Sequence, residues 1–225
     1  MLGFWASVSS LPDGVTHRIV LMRHAEPSAH TRGRCYGKLD VGLGDRGLAQ
    51  AKAAAAAFCR GDLAAVVTSP RVRARDTARI LADVVDAPVH EDVRLAEIDF
   101  GEFEGRTYAE IEASHPAAYA EWMNAPTTMR FPGGESFPQM KVRVLQAVRA
   151  IRDAHPGKAI GLVSHGGVGR IIIADALRMP DEAIFALEQS YAGVSVLDWW
   201  GNTPALRLLN WTPHSRGKLS AEAAP

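Results

Sequence analysis

Short, uniformly apolar runs alternate with longer helix-patterned segments along almost the whole chain, and this alternation leaves few architectures open. RIVLM (18–22), AAVVTSP (64–70) and AIGLVSH (159–165) carry the β-branched, apolar character of strands buried on both faces. Between them lie segments with helical patterning: LGDRGLAQAKAAAAAF, starting near Asp45, a stretch ending in ARILADVV, and FPQMKVRVLQAVRAIRDAH. Ser69 is a candidate cap for the second of these, with Pro70 in its first position. PVHEDVRL reads as a short edge strand, YAEIEASHPAAYAEWM as a helix, GGVGRIIIADALRM as a helix and PDEAIFALEQ as a shorter one. GVSVLDWW and PALRLLNW read as two strands joined by a turn at Gly201–Asn202. Strand and helix in this order predict a three-layer α/β/α domain with a mainly parallel central sheet. One domain is expected over 15–212, with 1–14 and 213–225 as loose termini.

In an open parallel sheet, ligands bind outside the carboxyl ends of the strands. Two of these strands run into histidine, one at Arg23-His24 and one at Ser164-His165-Gly166-Gly167. If the strands are neighbours, both imidazoles face one crevice, and backbone N–H groups at the helix start after His165 are anion donors. A lone histidine is most often structural; two at strand ends, one beside an arginine and one before Gly-Gly, point to a site. Arg71, Arg73 and Arg75 follow the second strand on a predicted helix. At 3.6 residues per turn, Arg73 and the pair Arg71/Arg75 cannot all serve one pocket. A carboxylate from the loop EIDFGEFEG would suit proton transfer, but spacing does not choose among Glu97, Asp99, Glu102 and Glu104.

Composition excludes other classes. The 25 Lys+Arg balance 25 Asp+Glu, which argues against nucleic acid or an anionic membrane as the main partner. Cys35 and Cys59 are too few and too far apart for zinc or a disulfide framework. No apolar run reaches the roughly 18 residues of a membrane span. MLGFWASVSSLPDG lacks the basic start of a secretory signal, so a cytoplasmic protein is expected.

The motifs Arg23-His24-Ala25-Glu26, Leu43-x-x-x-Gly47-x-x-Gln50-Ala51, Ser69-Pro70-x-x-Arg73-Ala74-x-x-Thr77-Ala78, Leu95-x-Glu97-x-x-x-Gly101-x-x-Glu104-Gly105, Gly133-Gly134-Glu135-Ser136 and Val163-Ser164-His165-Gly166-Gly167 occur in order. This set, spanning about Arg18 to Trp211, resembles the histidine phosphatase superfamily, the phosphoglycerate mutase-like group. The resemblance implies that His24 is the phosphorylated nucleophile, that Arg23, Arg73 and His165 clamp phosphate with Gly166 beside them, and that Glu97 is the proton donor and later the base. It implies no metal and no cofactor. Three departures stand out: Ala25 replaces a usual Gly, Pro27 a usual Thr, and His30 a phosphate-touching Asn, which makes His30 a candidate contact.

Within that family, mutases carry a paired-arginine, proline-rich segment, where this chain has MNAPTTMRFPGGES with only Arg130. Asp99, Glu102 and Glu104 are expected to repel an anionic cofactor. A phosphatase of small phosphorylated metabolites is therefore expected over a phosphoglycerate mutase, and both over a non-catalytic phospho-ligand sensor. Gly33-x-x-Tyr36-Gly37-x-x-Asp40, the stretch from Asp99 to Gly105, and the tail from Met179 through Asn210 are most similar to the alpha-ribazole phosphatases of cobalamin assembly. Phe100, Phe103, Tyr108 and Trp122 are candidates for an apolar wall against a ring. A homodimer is left open.

Overall fold

The computed structural model describes Val8 and residues 10–213. Six strands, β1 (His17–Arg23), β2 (Ala65–Thr68), β3 (Val89–Glu91), β4 (Ala159–Ser164), β5 (Val194–Trp200) and β6 (Thr203–Trp211), form one sheet in the order β3-β2-β4-β1-β5-β6. The β3, β2, β4 and β1 pairings are parallel, while β5 and β6 run antiparallel, so the sheet is mixed and mostly parallel. Among the described residues six α-helices accompany it: α1 (Asp45–Ala55), α2 (Val72–Val85), α3 (Tyr108–Ser114), α4 (Pro116–Asn124), α5 (Phe137–Ala154) and α6 (Gly166–Ala176).

The alternation of side chains along β1 explains why both sheet faces must be covered. Ile19 and Leu21 pack into one core with Leu162 of β4, Val144 and Val148 of α5, and Ile171 and Ile172 of α6. Val20 and Met22 pack into the other, with Ala51 and Ala54 of α1 and Ala78 and Leu81 of α2. The Ala run thus lets α1 pack closely against α2 over this core. Across the β1–β5 pair, Arg18 opposes Asp198 and donates to its two carboxylate oxygens at 2.6 and 2.9 Å, with Asp198 fully buried. Among the described residues, no helix is long and apolar enough to cross a membrane.

Four local expectations change. Ser69 does not cap α2 and Pro70 is not its first residue: Arg71 holds the cap position, and the Val72 N–H is satisfied by Asp40 Oδ1 at 2.7 Å. The single helix expected over 108–123 is two, because Pro116 lacks the N–H to continue α3 and instead starts α4. The segment after Pro180 is a 3₁₀ turn, Asp181–Ala186. At the N-terminus, Val8 is buried in the second core and its carbonyl accepts from Arg18, so looseness over 1–14 does not hold at this residue. Of the tail expected to be loose, 214–225 lies outside the described residues.

Candidate active site

β1 and β4 are parallel neighbours, with Arg23 in register with Ser164. Their next residues, His24 and His165, therefore leave the sheet side by side, and the His24 N–H donates to the Ser164 carbonyl at 2.7 Å. The two imidazole centroids lie 5.2 Å apart at a steep angle, and both rings are buried.

Hydrogen bonding fixes what each ring can do. His24 Nδ1 lies 2.8 Å from the Ala25 carbonyl, which can only accept, so the proton sits on Nδ1 and Nε2 keeps its lone pair. Burial first, and then the charges of Arg23 and Arg73, hold the His24 pKa well below 6.5. His165 Nε2 lies 2.7 Å from Ser69 Oγ, an oxygen that also accepts from the Arg71 N–H. In the tautomer in which Ser69 donates to Nε2, the His165 proton is on Nδ1, as a donor. Burial and then Arg73 keep this imidazole neutral too.

Arg73, fully buried on the first turn of α2, donates to the carbonyls of Leu39, Tyr36 and Gly37 at 2.8, 3.1 and 2.9 Å. Of the three arginines Arg73 alone lines the same cavity as His24, while Arg75 pairs with Glu91 at 3.8 Å. Arg23 donates to the Gln189 carbonyl. Arg23 Nε, Arg73 Nε and His165 Nδ1 are buried nitrogens that make no hydrogen bond among the described residues, as are the Nε atoms of Arg71, Arg75 and Arg152. Leaving a buried donor unmade costs about 1–3 kcal/mol, and an acceptor with several oxygens between Arg23, Arg73 and His165 would satisfy these three together. Neither arginine forms an ion pair with a carboxylate among the described residues, and two arginines with neutral histidines suit an anion such as phosphate.

Glu97 projects from the loop after β3 to the start of α6. Its Oε2 accepts from the Gly167 N–H at 3.0 Å and its Oε1 from the Ile98 N–H at 3.0 Å. Two glycines permit this approach. A Cβ at Gly167 would stand 2.4 Å from Glu97 Oε1, and one at Gly37 would stand 1.7 Å from the Ile98 carbonyl oxygen. The Arg73-holding loop and the Glu97 loop are therefore pressed together backbone to backbone.

Arg23, His24, Arg73, Glu97 and Gly166 line one cavity of about 290 Å³. Its far side is apolar, with Phe100, Tyr108, Trp122, Phe131, Phe137 and Met140. Tyr108 and Trp122 stack at 5.3 Å and 16°. Of the four aromatics expected in a wall, Phe103 is instead fully buried in the core.

His30 is not brought to the cavity. It is exposed on the 3₁₀ turn Ala29–Thr31, its Nδ1 3.1 Å from Ser28 Oγ, while its neighbour Thr31 takes the buried place in the turn. The acidic loop residues also stay out of the lining. Glu104 accepts from the N–H groups of Gly37, Lys38, Leu39 and Phe100, Asp99 pairs with Lys38, and Glu102 with His115. Their charge organises loops and does not face the anion cluster, which removes the electrostatic argument against an anionic cofactor. Two cations that sequence reasoning missed do line the cavity: Arg34 near its mouth, and Arg170 on α6, whose Nε donates to the Leu187 carbonyl at 2.9 Å. The spacing Gly166 to Arg170, one helical turn, was the available signal for the second. Among the described residues no cluster of three or more His, Cys, Asp or Glu is arranged to hold a metal ion.

The family model described as histidine phosphatase superfamily (branch 1) matches residues 19–212. A bifunctional protein of Mycobacterium tuberculosis is 32% identical over 201 residues, covering 88% of this chain. The chain spans only 55% of that relative's length. Phosphoserine phosphatase 1 of Hydrogenobacter thermophilus is 29% identical over 206 residues, covering 92% of this chain and 97% of its own. Among solved structures, the alpha-ribazole phosphatase from Shigella flexneri superposes with a TM-score of 0.77 at 29% identity, over 86% of this chain and 96% of that one.

Proposed function

The chain belongs to the histidine phosphatase superfamily, and on that premise we propose that it hydrolyses small phosphomonoesters through a phosphohistidine on His24. The observation that carries the reading is the state of His24, a neutral imidazole with its Nε2 lone pair free, set between two arginines.

In the first half-reaction, Nε2 attacks phosphorus as the bond to the leaving oxygen breaks, and a protonated Glu97 gives its proton to that oxygen, releasing the alcohol. Arg23, Arg73 and His165 donate to the equatorial oxygens, where charge is spread as the group moves. In the second half, Glu97, now a carboxylate, takes a proton from water. The water oxygen bonds to phosphorus, the P–N bond breaks, and inorganic phosphate leaves. The guanidinium and imidazole donors carry the charge stabilisation, so the reading needs no metal. It takes 15–212 as the catalytic unit and sets the reaction in the cytoplasm, in keeping with the free thiols of Cys35 and Cys59.

For the alcohol, the stacked Tyr108–Trp122 pair and its aromatic neighbours favour a ring, as in alpha-ribazole 5′-phosphate of cobalamin assembly. A second reading has its own observation. Arg34 and Arg170 in the lining favour an alcohol that carries a carboxylate, as in phosphoserine or a phosphoglycerate. Phosphate release from these esters, with chelator present and with and without 2,3-bisphosphoglycerate, tests the set. The expected result is metal-independent hydrolysis, fastest with alpha-ribazole 5′-phosphate and indifferent to the bisphosphate. A preference for phosphoserine moves the substrate to the second reading. Bisphosphate-dependent interconversion of 2- and 3-phosphoglycerate would replace the phosphatase by a mutase.

A further inference from the structure

Two tyrosines stand beside the His24 ring. Tyr36 comes from the loop before α1 and Tyr191 from the loop before β5, 155 positions apart, and their hydroxyls lie 2.6 Å from each other. Tyr191 lies 5.6 Å and Tyr36 6.5 Å from the His24 ring, centroid to centroid. Each ring also supports one arginine of the anion cluster: Arg23 Cζ stands 4.0 Å from the Tyr191 centroid, and Arg73 Cζ 5.0 Å from that of Tyr36. The loops repeat the pairing through their backbones. Arg73 donates to the Tyr36 carbonyl, and Arg23 donates to the Gln189 carbonyl, two residues from Tyr191.

We propose that Tyr36 and Tyr191 are positioning residues whose hydroxyl-to-hydroxyl bond ties the Arg23 and Arg73 arms into one clamp of fixed width around His24. Each guanidinium is fastened to its own loop, and those loops come from distant parts of the chain. Without a tie, the spacing of the two arms would follow the drift of both loops. Useful orientation of such donors requires tolerances near 0.5 Å. The rings also place two like charges over π faces, an arrangement that favours each cation where water is scarce. Burial and the neighbouring Tyr191 push the Tyr36 pKa upward, so the phenol remains a hydrogen-bonding partner and not a phenolate near neutral pH.

The inference rests on the phosphohistidine reading, and one set of assays separates the two. Tyr36→Phe, Tyr191→Phe and the double variant are compared for kcat/KM, for the inhibition constant of vanadate, and for thermal midpoint. Each single change is expected to lower kcat/KM by about 2- to 12-fold, the worth of one hydrogen bond, and to weaken vanadate by the same factor. Because there is one bond to lose, the double variant should match the worse single variant. Tyr191→Leu, which also removes the ring under Arg23, should lose roughly a further 2- to 30-fold. If that variant does not fold, the two phenylalanine changes and their cycle decide alone. Fully additive losses, a lowered thermal midpoint with unchanged vanadate binding, or no loss at all would overturn the bridge. An inactive, vanadate-insensitive parent enzyme would instead overturn the phosphatase reading.

Discussion

Gly167→Ala should separate catalysis from stability in this fold. The new methyl carbon would meet Glu97 Oε1 at 2.4 Å, Met140 Cε at 3.1 Å and Glu97 Cδ at 3.3 Å. An ordinary contact for such atoms begins near 3.4 Å, so by difference the carboxylate must retreat about 1 Å. That shift also strains the 3.0 Å bond from the Gly167 N–H to Oε2, one of the two N–H bonds that aim Glu97. A misplacement of about 1 Å can cost roughly 10²-fold in rate. Stability should hardly suffer, because the clash falls on the end of a movable side chain, and Ala is favoured over Gly in a helix by about 1 kcal/mol. The assay is kcat/KM with an alkyl phosphate and with p-nitrophenyl phosphate, alongside thermal unfolding. The expected result is a loss of about 10²-fold with the alkyl ester, a much smaller loss with the nitrophenyl ester, whose leaving group needs little protonation, and an unchanged or raised midpoint. Glu97→Gln should give the same pattern, and the double variant should be no worse. Full activity in Gly167→Ala, or equal losses on both esters, would refute the placement of Glu97 as proton donor.

Two predictions concern the scaffold. Asp198→Ala leaves the Arg18 guanidinium without the carboxylate it faces between β1 and β5, and urea unfolding should show a loss of about 3–5 kcal/mol; a loss below about 1 kcal/mol would mean the pair is not a buried charge compensation. Stability should also fall on the acid side. Above pH 6.5, His24 and His165 are neutral both folded and unfolded; below it the unfolded chain takes up protons that the buried rings, with their lowered pKa values, refuse. The unfolding free energy should therefore begin to drop as pH falls through 6.5, with a shallower slope in His165→Gln. A pH-independent unfolding free energy between 7 and 5 would contradict the burial of neutral histidines.

The sequence made some parts of this arrangement legible and hid others for physical reasons. Runs such as RIVLM announce a strand buried on both faces, and the structure divides Ile19 and Leu21 from Val20 and Met22 accordingly. His24 and His165 were legible because strand ends fix side-chain position locally. Arg73 was not separable from Arg71 and Arg75 by period alone; the carbonyls that hold it come from Leu39, Tyr36 and Gly37. For the same reason Glu104 looked like free negative charge, whereas it organises backbone N–H groups of two loops, Gly37–Leu39 and its own at Phe100. His30 was carried by position in a motif, whereas the 3₁₀ turn Ala29–Thr31 sets Thr31 inward and leaves His30 exposed. The break at Pro116 was written in the sequence and overruled there by the strength of the helical pattern on either side. Tyr36 and Tyr191 meet only once the sheet has closed.

The central claim is covalent, so the most direct measurement is to trap the intermediate. Rapid acid-free quench during turnover of a ³²P-labelled phosphomonoester, followed by digestion, reports the residue, and ³¹P NMR of the same peptide prepared with unlabelled ester reports the ring nitrogen. Because His24 Nδ1 is committed to the Ala25 carbonyl, the phosphoryl group should be found on His24 Nε2, stable in base and lost in acid. It should disappear in His24→Ala and, with p-nitrophenyl phosphate, whose leaving group needs little protonation, accumulate in Glu97→Gln, where water lacks its base. Label on another residue, label on Nδ1, or full activity in His24→Ala would contradict the mechanism.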